Sequence, residues 1–380
     1  MRKETKAIHT PFQKRDAYGS LSFPVYNTAA YEFDTAHDMT EAFSGRVQEP
    51  DYSRVMNPTV THFENRVKAL SGAENVFAMN TGMAAILNTF MVFAEAGKTI
   101  VTSNHLFGNT FALITKTLAR FGVKAQVVDL TDTVTLDKII ADDACLIFAE
   151  YITNPQLELV DIKKLSEVAH KHGLPLIVDT TAVPFTDIDA RELGIDVEVL
   201  SSTKYISGGA TSLGGLILDF GTFKEVNQRI RFEFLFNLGT YMTPQVAYMQ
   251  TLGLETLNVR YQKQAQNALD LAKALQQLPQ VKRVNYPGLS LDKPFGAMLT
   301  IDLESEQKCF DFLNRLRLIR RATNLFDNKS LAIHPYSTIF VGFTPEEKKQ
   351  MDIFDTTIRL SMGLEDVNDL FEDIKQALDK

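Results

Sequence analysis

Between an apolar run and a cluster of glycines the chain places one lysine, in "LSSTKYISGGATSLGG" at 200–215. Lys204 follows the hydroxyls of Ser201 and Thr203. Other short apolar runs also end in polar residues: Ser103, Glu150 with Asn154 just after, and Asp179 with Thr181. Any one of these is an ordinary strand cap or turn residue. Together they aim an ammonium, carboxylates, an amide and hydroxyls at one rim, and in open parallel sheets ligands sit beyond the carboxyl ends of the strands. "NTGMAA" at 80–85 adds Gly82 and Met83 at the start of a helical pattern, where free amides and the helix dipole favour an anion. With Ser201 and Thr203 they would hold a compact phosphomonoester. Asp179 could pair with a protonated pyridine nitrogen, and Lys204 could form an imine with an aldehyde. Phosphate cradle, pyridinium partner and imine lysine together describe pyridoxal phosphate (PLP).

Competing chemistries lack their signatures. No G-x-G-x-x-G follows a strand. "VFAEAGKT" ends like a phosphate loop, but Val92 stands where its first glycine belongs, so the backbone cradle is missing. There is no H-E-x-x-H and no cysteine pair. His170 and His172 are two apart on a helix and cannot face one metal. The histidines therefore read as surface or capping residues, and no metal is expected.

The elements that must position these groups are legible as alternation. From about residue 60 a helical stretch, "PTVTHFENRVKAL", leads into "NTGMAAILNTFMVFAEAG". Apolar β-rich runs follow at 99–103, 125–130, 145–151, 174–181, 197–203 and 214–219. Amphipathic segments lie between most of them, such as "DIKKLSEVAHKHG" with its glycine stop. Near-continuously apolar strands separated by helices predict an α/β domain with a mostly parallel central sheet covered on both faces. Beyond about residue 250 come a long helix through "QKQAQNALDLAKALQQL", a strand "AMLTIDL", a helix "EQKCFDFLNRLRLI" and a closing helix "DVNDLFEDIKQALDK". That rhythm predicts a second, smaller α+β domain. The first fifty residues are rich in aromatics and turn formers with poor periodicity, and read as an extended arm that needs a partner surface.

Bulk properties agree. A chain of 380 residues suits two to three domains of roughly 150 residues each. The net charge of −8 is spread along the chain, which argues against a nucleic-acid binder with its basic face. Cys145 and Cys309 read as buried small hydrophobes, and "MRKETKAIHTPFQKRD" shows no secretory apolar region. A reducing, cytoplasmic setting is expected. No apolar stretch reaches the roughly 18 residues of a membrane helix, so a soluble protein is expected.

Six motifs in order carry a resemblance: "YSRVMNPT" (52–59), "TGMAAI" (81–86), "TNP" (153–155), "VDTT" (178–181), "SSTKYISGG" (201–209) and "RLSMGLED" (359–366). Over nearly its full length the chain resembles the PLP-dependent enzymes of cysteine and methionine metabolism: cystathionine γ-synthases and lyases, methionine γ-lyases and O-acetylhomoserine sulfhydrylases. The resemblance implies the PLP-dependent transferase fold of type I, with an arm over 1–50, a large PLP-binding domain over 51–250 and a C-terminal domain over 251–380. It makes Lys204 the Schiff-base lysine, Asp179 the pyridinium partner with Thr181 beside it, and Gly82, Met83, Ser201 and Thr203 the phosphate contacts. Tyr52 and Arg54 match a pair that reaches the phosphate of a neighbouring subunit, so a homodimer or homotetramer with shared active sites is implied. Asn154 and Arg359 match residues that hold substrate, with Arg359 forking onto its α-carboxylate.

Departures from the family pattern bear on the reaction. Phe107 stands where a tyrosine usually stacks on the cofactor ring, so the stack survives and the phenol does not. Leu200 and Gly209 stand where histidines are common, Thr180 replaces a usual asparagine, and Asn324 replaces a serine near the substrate. "LFGNTFALITKTLARFG", "GATSLGGLILD" and "QTLGLETLNVR" look most like the O-acetylhomoserine sulfhydrylase branch. Acetate leaves without much protonation, whereas a thiolate gains from a general acid. Phe107 therefore leans towards γ-replacement on an activated homoserine ester, with Lys204 moving protons and Tyr52 able to supply a phenol. The alternatives are methionine γ-lyase, cystathionine γ-synthase or lyase, and a catalytically silent PLP-binding homologue.

Overall fold

The computed structural model describes residues 2–9 and 18–379; residues 10–17 of the expected arm lie outside it. A seven-stranded sheet is built from β1 (Asn75–Met79), β2 (Thr99–Thr102), β3 (Lys124–Val127), β4 (Ala144–Glu150), β5 (Leu176–Asp179), β6 (Val197–Leu200) and β7 (Gly215–Asp219). Their spatial order is β1-β7-β6-β5-β4-β2-β3. The β3-β2-β4-β5-β6 block is parallel, as the apolar runs predict. β7 runs antiparallel to both β6 and β1. Its direction follows from the connection: residues 201–214 contain no helix, so the chain turns at the rim and comes straight back.

Alternation along each strand serves the two faces. On β4, Leu146 and Phe148 join one apolar layer while Ile147 and Ala149 join the other; Ile177 and its neighbours Leu176 and Val178 divide in the same way on β5. Both faces of β4 and β5 are therefore dry, and on these two strands the acids stand at the ends, Glu150 and Asp179.

A second sheet, in the order β10-β11-β12-β9-β8, is made by β8 (Arg283–Asn285), β9 (Met298–Asp302), β10 (Arg320–Arg321), β11 (Leu331–Ile333) and β12 (Thr357–Ser361). Its core packs against the helices Leu257–Leu275, Glu306–Arg315 and Val367–Leu378. This is the second, smaller α+β unit. The Glu306–Arg315 helix stops short of the apolar pattern that runs on to Ile319. The reason is Asp373, whose buried carboxylate accepts the amides of Arg317, Leu318 and Ile319, each at 2.9 Å. Amides committed to a carboxylate cannot continue a helix.

The first fifty residues are less extended than expected. A helix over Lys3–His9 buries Ala7 against the large domain, where Arg66 donates to the Ala7 carbonyl. A second helix, Ala36–Phe43, starts at Thr35, whose hydroxyl accepts the Asp38 amide. Between and around them large apolar groups face outward, with Tyr18 and Leu21 each 95% exposed. Among the described residues no helix is long and apolar enough to cross a membrane.

Asp373→Ala leaves three amides, that of Ile319 buried, without their acceptor. It should destabilise the second unit by about 3 kcal/mol, the scale for losing hydrogen bonds to a charged group, as read by urea unfolding of purified protein. An unchanged midpoint would show that the amides find other partners.

Candidate active site

Because the parallel strands end together, β1, β4, β5 and β6 deliver Asn80, Glu150, Asp179 and Ser201 to one rim, and β7 starts there. Beyond this rim lies a cavity of about 420 Å³, bounded by both sheets. Its lining includes Gly82, Met83, Phe107, Asn154, Asp179, Thr181, Ser201, Thr203, Lys204 and Arg359.

The lysine loop is held shut at its base. The Thr203 hydroxyl donates to the Gly214 carbonyl at 3.2 Å and accepts the Gly214 amide at 2.9 Å. The Lys204 amide turns back to the Ser201 carbonyl at 3.1 Å. From this fixed base Lys204 Nζ reaches across to the second unit and donates to Asn324 Oδ1 at 2.9 Å. Burial, and then the nearby Arg359 charge, pulls the Lys204 ammonium down to about 8. Its amine therefore gives up a proton far more readily than a surface lysine.

Opposite the lysine loop the Gly82–Phe93 helix begins, capped by the Thr81 hydroxyl, which accepts the Ala84 amide at 3.0 Å. The amides of Gly82 and Met83 precede any intrahelical acceptor. A Cβ on Gly82 would come within 2.7 Å of Ser201 Cβ, and one on Gly215 within 2.1 Å of the Thr81 carbonyl. Two glycines thus let helix start, lysine loop and β7 close to backbone contact. The Ser201 amide donates to Thr181 Oγ1 at 2.8 Å, which ties this corner to β5.

The floor carries carboxyls. Asp179 accepts the Thr181 amide at 2.7 Å, and Glu150, opposite it in register on β4, lies 5% exposed. Glu150 takes the Phe107 amide at 2.6 Å and the Asn154 amide at 3.1 Å. Burial raises both acids above the ordinary carboxylate range, and the Asp179 charge adds to the rise at Glu150. Glu198, on β6, is likewise pushed up to about 7 by burial; it accepts the Thr180 hydroxyl. The sequence departure at Thr180 thus has a local partner.

Arg359 forms the far wall from β12, at 2% exposure. Its Nη1 donates to Asn154 Oδ1 at 2.9 Å and its Nη2 to the Thr323 carbonyl at 3.3 Å, while Nε is buried with no partner. Both partners are neutral, and burial lowers the guanidinium to about 9, so it stays charged at neutral pH. A buried fork with spare donors and no carboxylate partner suits an anionic ligand.

The sequence-derived residues divide into two groups. The cavity lining unites Gly82, Met83, Phe107, Asn154, Asp179, Thr181, Ser201, Thr203, Lys204 and Arg359, with Asn324 in contact with Lys204. Tyr52 and Arg54 are not among its lining residues; Tyr52 is 44% exposed, with the Arg54 guanidinium 5.3 Å from its ring centroid. Thr203 is in place, but its proton points at Gly214. Sequence reading gave no role to Thr323 or to the Glu198–Thr180 pair. It noted Glu150 only as the end of a run. The signal was there for Glu150, four residues before Asn154, but its partners are backbone amides and leave no trace in side-chain pattern. The histidines are not all at the surface: His334 is buried, and His105 joins Glu158 to Asp352 across the two units at 3.0 and 2.9 Å.

A family model described as Cys/Met metabolism PLP-dependent enzyme matches residues 4–379. An L-methionine gamma-lyase from Pseudomonas putida is 34% identical over 98% of this chain and 96% of its own. An O-succinylhomoserine sulfhydrylase from Pseudomonas aeruginosa is 35% identical over 96% and 93%. A crystal structure from Campylobacter jejuni, described as an O-acetylhomoserine (thiol)-lyase with N'-pyridoxyl-lysine-5'-monophosphate, superposes with a TM-score of 0.95 at 31% identity, covering all of both chains. The cavity fits that cofactor chemically. It offers backbone amides and Ser201 at one end, buried acids lacking a cation on the floor, and a low-pKa amine between.

Gly82→Ala should force the helix start off the Ser201 loop at a cost of about 1–3 kcal/mol, typical of overpacking. Urea unfolding of the variant checks it; parental stability would mean the corner has slack.

Proposed function

Because the chain belongs to the Cys/Met metabolism PLP-dependent enzymes, we propose that it catalyses γ-replacement on an activated homoserine ester. O-acetylhomoserine is the substrate, sulfide or a thiol is the incoming nucleophile, and homocysteine or methionine is the product. The observation that carries this reading is Phe107. It lines the cavity where a phenol would offer a proton, and its neighbours on the lining include the apolar Ile152, Leu213, Met298, Leu325 and Ile339. With no phenol at this position, a leaving group that departs as a stable anion is favoured over one that needs a general acid. Lys204 and Arg359 are the cations on the lining, and both are assigned below, which favours a neutral acetyl over a succinyl with its extra carboxylate.

When bound, pyridoxal phosphate supplies an aldehyde for the substrate amine and a protonated ring that accepts electrons released at Cα. The residues take the following parts. The Gly82 and Met83 amides hold the phosphate with Ser201, and Thr203 joins them by turning its hydroxyl from Gly214. Asp179, steadied by the Thr181 amide, keeps the ring nitrogen protonated, and Phe107 covers the ring. Lys204 holds the aldehyde at rest and, once freed by substrate, moves the protons of Cα and Cβ, with Asn324 as its resting partner. Arg359 forks onto the α-carboxylate, with Asn154 setting its angle. Tyr52 and Arg54 serve the cavity of a second copy of the chain, both at the phosphate end, so the working unit is at least a homodimer. The outward apolar groups of the arm support that assembly. We place the enzyme in the reducing cytoplasm. Its two thiols are unpaired, with burial pushing Cys145 up to about 11 and Cys309 up to about 12, which keeps both inert.

The alternative is elimination from methionine, favoured by the P. putida relative. The parent enzyme should release acetate from O-acetylhomoserine with sulfide at least about 100-fold faster than it eliminates methionine, the scale of a missing general acid. Phe107→Tyr should raise methionine elimination and leave acetate release nearly unchanged. Efficient methionine elimination by the parent sinks the assignment.

The depressed Lys204 pKa gives a second check. The cation predominates below about 8 and the reactive amine above it. Uptake of pyridoxal phosphate by the apoprotein, followed by absorbance, should rise with pH and level off above about 8. An ordinary lysine would keep rising to about 10.4. A rise that continues past pH 9 counts against Lys204 as the amine.

A further inference from the structure

Two walls of the cavity come from loops far apart in sequence. Phe107 enters after β2, and Asn154, the partner of Arg359, enters after β4. Glu150 touches both. Its Oε1 accepts the Phe107 amide at 2.6 Å and its Oε2 accepts the Asn154 amide at 3.1 Å. A second tie between the same loops, His105 to Glu158, lies outside the lining of the cavity.

The position is an expensive one for an acid. Glu150 sits opposite Asp179 in register, almost wholly buried, and its hydrogen-bond partners are two amides rather than a cation. Burying a second carboxyl beside the first costs stability unless something requires it. What the two amides require is a short group with two acceptor oxygens and no donor, aimed in two directions. A carboxylate alone among side chains meets that description.

We propose that Glu150 is a positioning residue for the reaction: its one carboxylate sets the separation between the ring wall at Phe107 and the carboxylate-binding wall at Asn154 and Arg359. This rests on the assignment of those walls to cofactor and substrate. Cofactor and amino acid are thereby gauged against each other, so that the substrate bond to be broken meets the ring at a fixed height. Glu150 also lines the cavity, and its part is to set the two walls.

The test uses Glu150→Gln and Glu150→Leu with three readouts: the Kd of pyridoxal phosphate for the apoprotein, the visible circular dichroism of the holoenzyme, and KM against kcat for O-acetylhomoserine with sulfide. Gln keeps one acceptor and turns an NH₂ towards the other amide. At least one side should shift, either dichroism with Kd or KM, by roughly tenfold in the constant concerned, as for one lost charge-assisted hydrogen bond. Leu removes both acceptors, so both sides should shift while kcat falls less than KM rises. A folded Leu variant with only one side changed, or with lower melting temperature alone, overturns the proposal. If Leu does not fold, Gln decides, and parental Kd, dichroism and KM in Gln overturn it. Kd and dichroism are read without substrate. A parent that fails to use O-acetylhomoserine therefore bears on the proposed reaction, and the substrate side of the Glu150 test is then read as KM for whichever of methionine, cystathionine or O-succinylhomoserine the parent does use.

Discussion

Charge buried without an internal partner is the constraint around which this molecule is arranged. Arg359 forks towards neutral groups, Lys204 holds an amide, and Glu150 and Asp179 crowd each other at neighbouring strand ends. Each group alone destabilises the fold by its lost hydration. The two dry layers of the sheet and the core of the second unit bear that cost. Their largely apolar strands leave the rim as the main place for polar chemistry, and the second unit caps the rim. The site is thus a place where stability is deliberately incomplete, and a ligand carrying a phosphate, a ring cation and a carboxylate would complete it.

Position in the sheet decides which acid does what. Asp179 and Glu150 differ by one strand and are matched in register, yet they meet different neighbours. Asp179 takes its hydrogen bonds from Thr181, two residues on, and lines the cavity. Glu150 commits both oxygens to amides on two loops. Glu198, one strand further, turns to the opposite face and finds Thr180. Three acids on three adjacent strands therefore have three electrostatic settings, because alternation and register give each a different set of donors.

Much of this is legible in sequence because buried parallel strands are written as continuous apolar runs and their ends as abrupt polar residues. Lys204, Asp179, Gly82 and Ser201 stand at such ends, so both fold class and site could be read. β1 was missed because "NVFAM" is only five residues long and lies between two strongly helical stretches. The direction of β7 was also hidden, since an apolar run says nothing of polarity; only the missing helix between 201 and 214 hints at it. The Glu306–Arg315 helix overran in sequence because its stop signal is Asp373, nearly sixty residues away in the chain. Tyr52 and Arg54 could be matched to a motif, yet their absence from the lining of the chain's own cavity is a property of folding, not of pattern.

The stapled base of the lysine loop carries a consequence of its own. Ser201 and Lys204 are joined by a single turn, and Thr203 locks that turn to Gly214 from both sides. The backbone at Ser201 and at Lys204 is therefore held as one piece. Together they act as a caliper whose span the chain has already chosen. That spacing is written within four consecutive residues.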